Sequence, residues 1–341
     1  MASMDVLAQA LKENPFVLAP MAGITDCAFR SFMKELGVSV VVTELVSATG
    51  LQYESQKTRD LMRFTPEQHP IGIQIFGEDI EALALAAKNA EKLGADFVDL
   101  NFGCPVPKVV KKGAGAGILK DLDRLAVTLR DVKKAIQIPL TIKIRTGWDE
   151  GTRNAHEVVK IAYNEGVHWV AIHGRTRAQG YSGLSDWDYI TDVKSKAQLP
   201  ILGNGDIQNA VEANERLKSS GCDGVLIGRG CLKNPWIFEE SRRLYKRESV
   251  LDTNKNFKFL FERLNHHLQL HCQERVILIQ LKKFASWFSS GYPGASQFRH
   301  QLFSAKNTED IYKVVEGYFE QLKHYQQADT RGEAFLMGGH G

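Results

Sequence analysis

Asn101-Phe102-Gly103-Cys104-Pro105 closes an apolar run, Phe97-Val98-Asp99-Leu100. The run is too short for a helix and rich in β-formers, so it reads as a buried strand. The glycine and proline that flank the cysteine end that strand on a tight turn. A thiol with an ordinary pKa near about 8.5 is mostly protonated at neutral pH and can act as an acid. The plainer alternative is a small buried hydrophobe, the usual state of a free cysteine. Other polar residues also stand at the ends of apolar runs: Pro20-Met21-Ala22, Gln74, Lys143 and Arg145, His173-Gly174-Arg175, Asn204-Gly205-Asp206 and Gly228-Arg229-Gly230. A lysine inside Leu140-Thr141-Ile142-Lys143-Ile144-Arg145 is costly unless paired. A structural salt bridge would satisfy it; a ligand carrying negative charge explains it better.

The elements that must position these residues follow a regular beat. Strands are expected at 16–19, 38–43, 71–76, 97–100, 140–145, 168–173, 201–203 and 224–227. Helices are expected at 5–13, from Thr25 or Asp26 to Leu36, and at 79–93, 121–136, 153–165, 186–197 and 208–220. Alternation at about 25–35 residues per unit means parallel β/α units, and eight of them close a (β/α)8 TIM barrel of about 240 residues. An open doubly wound sheet is the alternative, but it would usually bring a glycine fingerprint after its first strand. Gly113-Ala114-Gly115-Ala116-Gly117 does not fit G-x-G-x-x-G and reads as a flexible loop. Near residue 240 the beat stops, and 237–249 and 256–325 carry helical periodicity. The expected organisation is therefore α/β: a barrel over 1–240, a smaller all-helical domain over 241–325, and a disordered polar tail over 326–341.

Composition narrows the class further. Hydrophobic residues make up 43% and charged residues 24% of the 341, as in ordinary soluble proteins. No stretch reaches the roughly 20 apolar residues of a membrane span, and no secretory pattern opens the chain, which suggests the cytoplasm. Five cysteines without a C-x-x-C pair suggest neither a disulfide framework nor a metal site. Residues 240–341 hold 15 Lys and Arg against 11 Asp and Glu, leaving 28 against 29 for the rest. A modestly basic helical part is compatible with a polyanionic partner, although solvated helices look the same.

In a barrel of this kind the loops at the carboxyl ends of the strands form the site, and glycine-rich turns after the last two strands bind phosphate through backbone N–H groups. Tight turns alone would also explain those glycines. A phosphate there, Lys143 across the barrel and Gln74 on the third strand together suit a phosphorylated, planar, amide-rich cofactor, a description that FMN meets.

Six motifs occur in order: L-A-P-M-A-G-I-T-D (18–26), N-F-G-C-P (101–105), K-I-R-T-G-W (143–148), H-G-R-T-R (173–177), N-G-D-I (204–207) and I-G-R-G (227–230), followed by N-P-W-I-F (234–238). Together with L-K-K-F-A-S-W-F-S-S-G-Y-P-G-A (281–295), they resemble the tRNA-dihydrouridine synthases, most closely the bacterial B class, over about residues 15–305. The resemblance implies an FMN enzyme that uses NADPH to reduce the C5=C6 bond of a uridine in tRNA. Hydride would pass from flavin N5 to C6, and Cys104 would give its proton to C5. The family's flavin contacts fall on Pro20, Met21, Ala22, Gln74, Lys143, His173, Asn204, Gly205, Asp206, Gly228 and Arg229. Asn101 and Arg145 are expected to meet the substrate. Lys108, Lys111, Lys112, Arg175 and Arg177 would hold RNA phosphates at the same mouth, with the helical domain also gripping the tRNA. A monomer without a membrane or an obligate protein partner is expected.

The chain departs from the family pattern twice. The segment after Cys104 is unusually rich in proline and glycine, which puts its RNA contacts in question. Phe284 stands where a histidine is common, so a polar contact is expected to be missing there. Three rival readings stay open: an FMN barrel acting on a free pyrimidine, a Schiff-base aldolase using Lys143, and a non-catalytic RNA-binding protein.

Overall fold

A computed structural model describes residues 2–53, 55–250, 255–322, 325 and 327–329. Nine short strands are present among them: β1 (Phe16–Leu18), β2 (Val41–Val42), β3 (Val46–Ser47), β4 (Ile71–Phe76), β5 (Phe97–Phe102), β6 (Leu140–Arg145), β7 (Val170–His173), β8 (Ile201–Asn204) and β9 (Gly224–Ile227). All pair in parallel, in the order β1-β9-β8-β7-β6-β5-β4-β2, with β3 also on β4. The ring closes where Leu18 N–H donates to the Val40 carbonyl at 3.1 Å. β2 and β3 together fill one position, so this is an eight-position (β/α)8 barrel. Of the strand expected over 38–43 only Val41–Val42 forms; beyond Thr43-Glu44-Leu45 lies a second fragment, Val46–Ser47, and then short helices at Ala48–Gln52 and Gln56–Leu61.

Strand periodicity of two explains both faces of the wall. Ile71, Ile73 and Ile75, Val98, Leu100 and Phe102, and Leu140, Ile142 and Ile144 belong to the layer between barrel and helices. The intervening residues face inward. At the amino end they are apolar: Val17, Val42, Phe97, Trp169 and Leu202 pack with Leu7 and Leu11 of helix Ala2–Glu13, which plugs the bottom. A Cβ on Gly72 would lie 2.3 Å from the Phe97 ring, so the glycine makes room for this filling. At the carboxyl end the same inward positions become Gln74, Asn101, Lys143, Arg145, His173 and Asn204. The core therefore ends where the chemistry begins.

Helix starts follow local chemistry. Asp26 accepts the Phe29 N–H at 2.8 Å and caps Cys27–Glu35, whereas Thr25 Oγ1 bonds the Met21 backbone. Asp79, Asp121 and Asp186 cap the helices after β4, before β6 and after β7 in the same way. The segment Gly113–Gly117 is not a loose loop. Gly115–Lys120 is a 3-10 turn with Gly115 to Leu119 buried, packed beneath the Cys104 turn.

Beyond β9 the described chain is helical: Ile237–Tyr245, Phe257–His271, Glu274–Phe288, Ala295–Ser304 and Thr308–Glu320. This part docks on helix Cys27–Glu35. Arg263 donates to both oxygens of Glu35 at 2.7 and 3.0 Å, and Phe284 stacks on Phe29 at 4.9 Å. Phe284 lies in the apolar seam between barrel and helices, so no polar group is called for there. Of the expected tail, residues 326 and 330–341 lie outside the described residues; Gln327 Nε2 donates to the Lys233, Phe288 and Ser290 carbonyls.

Candidate active site

The carboxyl mouth of the barrel opens into a cavity of about 1020 Å³. Its walls bring together Pro20, Met21, Ala22, Gln74, Asn101, Cys104, Lys143, Arg145, His173, Arg175, Asn204, Gly205, Asp206, Gly228 and Arg229. Of the residues expected at the site, Lys108, Lys111, Lys112 and Arg177 do not line it. Lys108 is exposed on the turn Pro107–Val110, and Arg177 lies 4.5 Å over the Trp148 ring.

The Cys104 turn is fastened from three directions. Asn101 Oδ1 accepts the Gly103 and Cys104 N–H groups at 3.1 and 2.8 Å. Arg145 Nε donates to the Gly103 carbonyl at 2.8 Å, and Ala116 N–H donates to the Cys104 carbonyl at 3.0 Å. Burial pushes the Cys104 thiol up from its ordinary value, against the opposing pull of a Val106 backbone hydrogen bond and the Arg145 charge. At neutral pH the sulfur is a thiol and carries a proton.

Arg145 Nη1 donates to the Thr176 and Gly180 carbonyls, at 3.0 and 2.7 Å. It thereby joins the acid turn to the loop after β7. Arg175 is similarly engaged: Nη2 meets both Asp206 oxygens at 2.9 Å and the Gly183 carbonyl at 2.7 Å, while Nη1 reaches Ser185. With 2% of its surface exposed, it has no guanidinium face to offer a phosphate. His173 sits beside four cations. Burial first, then Arg145, Lys143, Arg175 and Arg229, hold it well below 6.5, so it is neutral.

Lys143 is the outlier. No carboxylate lies within ion-pairing reach of its amine among the described residues, so the salt-bridge alternative is not met. Asp99 is nearby but bonded to Gln74 and Thr141. Burial and the neighbouring Arg145 push Lys143 down to about 8, with Asp99 pulling the other way. Opposite it, the turns after β8 and β9 interlock. A Cβ on Gly230 would lie 2.2 Å from the Ile207 carbonyl oxygen, and Gly205 adopts φ +131°. Asn204 Nδ2 donates to the Leu226 carbonyl at 2.9 Å, tying the two strands at this level. A half-buried amine without an ion-pair partner among the described residues, sharing the cavity with glycine-walled turns and Arg229, fits an anionic, planar group with a phosphate.

A family model described as dihydrouridine synthase matches residues 17–324. The chain belongs to the dihydrouridine synthase family. It is 36% identical over 310 residues to "tRNA-dihydrouridine synthase B" of Pseudomonas syringae pv. tomato, covering 90% of this chain and 92% of that one. It is 36% identical over 289 residues to "Probable tRNA-dihydrouridine synthase" of Rickettsia conorii, covering 83% and 86%. Among solved structures, histamine dehydrogenase from Rhizobium sp. 4-9 matches with a TM-score of 0.50 at 13% identity, over 74% of this chain and 49% of that one, a likeness of fold. In this dihydrouridine synthase the mouth also draws on residues to which the sequence assigned no site role. Tyr181 stands between Arg145 and Arg229, at 5.5 and 5.1 Å. Trp287 and Arg299 reach the cavity from the helical part. Tyr181 is exposed on a loop, and Trp287 and Arg299 sit on helices whose periodicity says nothing of the cavity, so only the folded chain brings them to it. Among the described residues no helix is long and apolar enough to cross a membrane, and no group of three ligating side chains could hold a metal.

Proposed function

We propose that this dihydrouridine synthase reduces the C5=C6 bond of a uridine in tRNA, holding FMN and drawing electrons from NADPH. One observation carries the reading: a thiol kept protonated by burial shares one cavity with an unpaired lysine amine and an anion-accepting pair of glycine turns. Lys143, Gln74, His173 and the Pro20-Met21-Ala22 turn would hold the flavin ring; Asn204, Gly205, Asp206, Gly228 and Arg229 would wall its phosphate end. When bound, FMN supplies the hydride that adds to C6 after reduction by NADPH.

The chain's own residues do the rest. The Lys143 ammonium stabilises negative charge in the cavity. Asn101 and Arg145 hold the turn that aims Cys104 Sγ, and the thiol delivers its proton to C5. Extraction of the target base from its stack costs a few kcal/mol, which RNA contacts must offset. Lys108, Lys111 and Lys112 stand exposed beside the acid turn and suit neighbouring phosphates. The substrate places the work in the cytoplasm, and a single chain carries the complete cavity. The test is direct: the purified protein should be yellow with FMN, and with NADPH should form dihydrouridine in unmodified tRNA. A colourless protein, or reduction of free uracil in preference to tRNA, overturns the proposal.

A further inference from the structure

Behind the cavity lies an unbroken chain of polar contacts. Thr141 Oγ1 donates to Asp99 Oδ1 at 2.6 Å, and Gln74 Nε2 donates to Asp99 Oδ2 at 2.7 Å. Asn101 Nδ2 donates to Gln74 Oε1 at 2.8 Å, and Asn101 Oδ1 accepts the Gly103 and Cys104 N–H groups. Strand register sets this order: Gln74 pairs across to Asp99, and Asp99 to Thr141.

The two ends of the chain fix its direction. A carboxylate can only accept and a backbone N–H can only donate. Burial pushes the Asp99 carboxyl up, while the Gln74 and Thr141 hydrogen bonds and the Lys143 charge favour its ionised form; in that form Gln74 must turn its NH₂ toward Asp99 and its oxygen toward Asn101. Asn101 must then turn its own oxygen toward the acid turn. Neither amide can flip without setting oxygen against oxygen or N–H against N–H. Among the described residues only Gln74 and Thr141 hydrogen-bond the Asp99 carboxyl, which is 4% exposed in the barrel interior, so its cost of burial is met by this chain together with the Lys143 charge.

We propose that Asp99 is a positioning residue for the reaction, one that sets the polarity of the Gln74 and Asn101 amides and thereby seats the Cys104 thiol. The proposal rests on the reading above for what Cys104 does, not for where it is held. Asp99→Asn removes one of the two constraints, because an amide at 99 accommodates Gln74 either way and leaves only the Gly103 and Cys104 N–H groups to orient the amides. The turn loosens, and the thiol is less buried and more readily ionised. Gln74→Glu combined with Asp99→Asn restores direction: the amide at 99 donates to a carboxylate at 74, which still accepts from Asn101.

The experiment measures the alkylation rate of Cys104 by iodoacetamide across pH 7 to 10, resolved by peptide mass spectrometry on the holoprotein, with every variant compared at equal flavin content because Gln74 would also face the flavin. Asp99→Asn should raise the rate at pH 8 at least threefold, and the double variant should return to within twofold of the native rate. Thr141→Val, which deletes only one donor to Asp99, should move the rate in the same direction by less. It also keeps the test open if Asp99→Asn fails to fold. A native rate in Asp99→Asn or Thr141→Val, or a double variant no closer to native than its singles, overturns the proposal. Thiol reactivity needs no uridine, so a failed tRNA assay and a failed relay are told apart.

Discussion

The wall made by β4, β5 and β6 and the wall made by β8 and β9 face the same cavity, but they are held by different means. On the first, side chains do the fastening: Asp99, Gln74, Asn101 and Arg145 hold one another and the acid turn. On the second, the backbone itself is the surface, and glycines let two turns close to contact distance. A side-chain wall that loses one member loosens locally but keeps its backbone path. A backbone wall cannot admit a single extra carbon. Chemistry and cofactor grip should therefore fail separately.

The largest effect is expected on the backbone wall. Gly230→Ala drives a Cβ into the Ile207 carbonyl, a backbone atom that cannot swing aside. A loss of about 3 kcal/mol in urea unfolding is expected, together with loss of bound flavin. If Gly230→Ala binds FMN as tightly as the native protein, the two walls do not differ as described.

On the opposite wall, Cys104→Ala leaves Asn101 and Arg145 their backbone partners. The protein should stay folded and yellow, flavin reduction by NADPH should survive, and dihydrouridine formation should fall roughly 10²–10⁴-fold. Native product formation by this variant would remove Cys104 from the mechanism.

Lys143 sharpens the comparison by joining the two walls electrostatically. Its value near 8 in the free protein is below the ordinary lysine value. An anionic ligand beside it favours the charged form and raises that value again. FMN affinity should then be constant below about pH 8 and weaken above it, by up to about tenfold per pH unit. Fluorescence titrations from pH 6.5 to 9.5 should show the bend in the native protein and a flat profile in Lys143→Met. A bend in both assigns the titration elsewhere.

How much of this was readable in advance follows the same division. β6 was legible to the residue, because an apolar run with Lys143 and Arg145 two apart states both the strand and its inward face. The glycine turns were legible as turns, but their interlock was not, since it depends on contacts between segments distant in sequence. Asp99 reads in sequence as part of an apolar run, although the cost that marks Lys143 applies equally to a carboxylate in a buried strand. The Gly113–Gly117 stretch misled for a different reason. Its small residues signal close packing under Cys104 as readily as freedom, and a Cβ at Gly115 would lie 2.8 Å from the Cys104 carbonyl oxygen. Arg175 misled because a basic residue in a loop looks the same whether it faces solvent or is tied to Asp206.

That last ambiguity yields the smallest predicted effect. Lys108 is exposed immediately after the acid turn and has no partner among the described residues, so its charge is available to RNA. Arg175 is buried and paired, so its charge is spent within the protein. Lys108→Ala should weaken tRNA binding on the order of threefold at moderate salt and lower the slope of log affinity against log salt by about 0.7–0.9, as expected when one phosphate is no longer neutralised. Arg175→Met should disturb the loop carrying Tyr181 and slow turnover while leaving that slope unchanged. Filter-binding titrations between 50 and 300 mM salt separate the two. An unchanged slope in Lys108→Ala, or a reduced one in Arg175→Met, would mean that exposure at this mouth does not decide which cations meet the RNA.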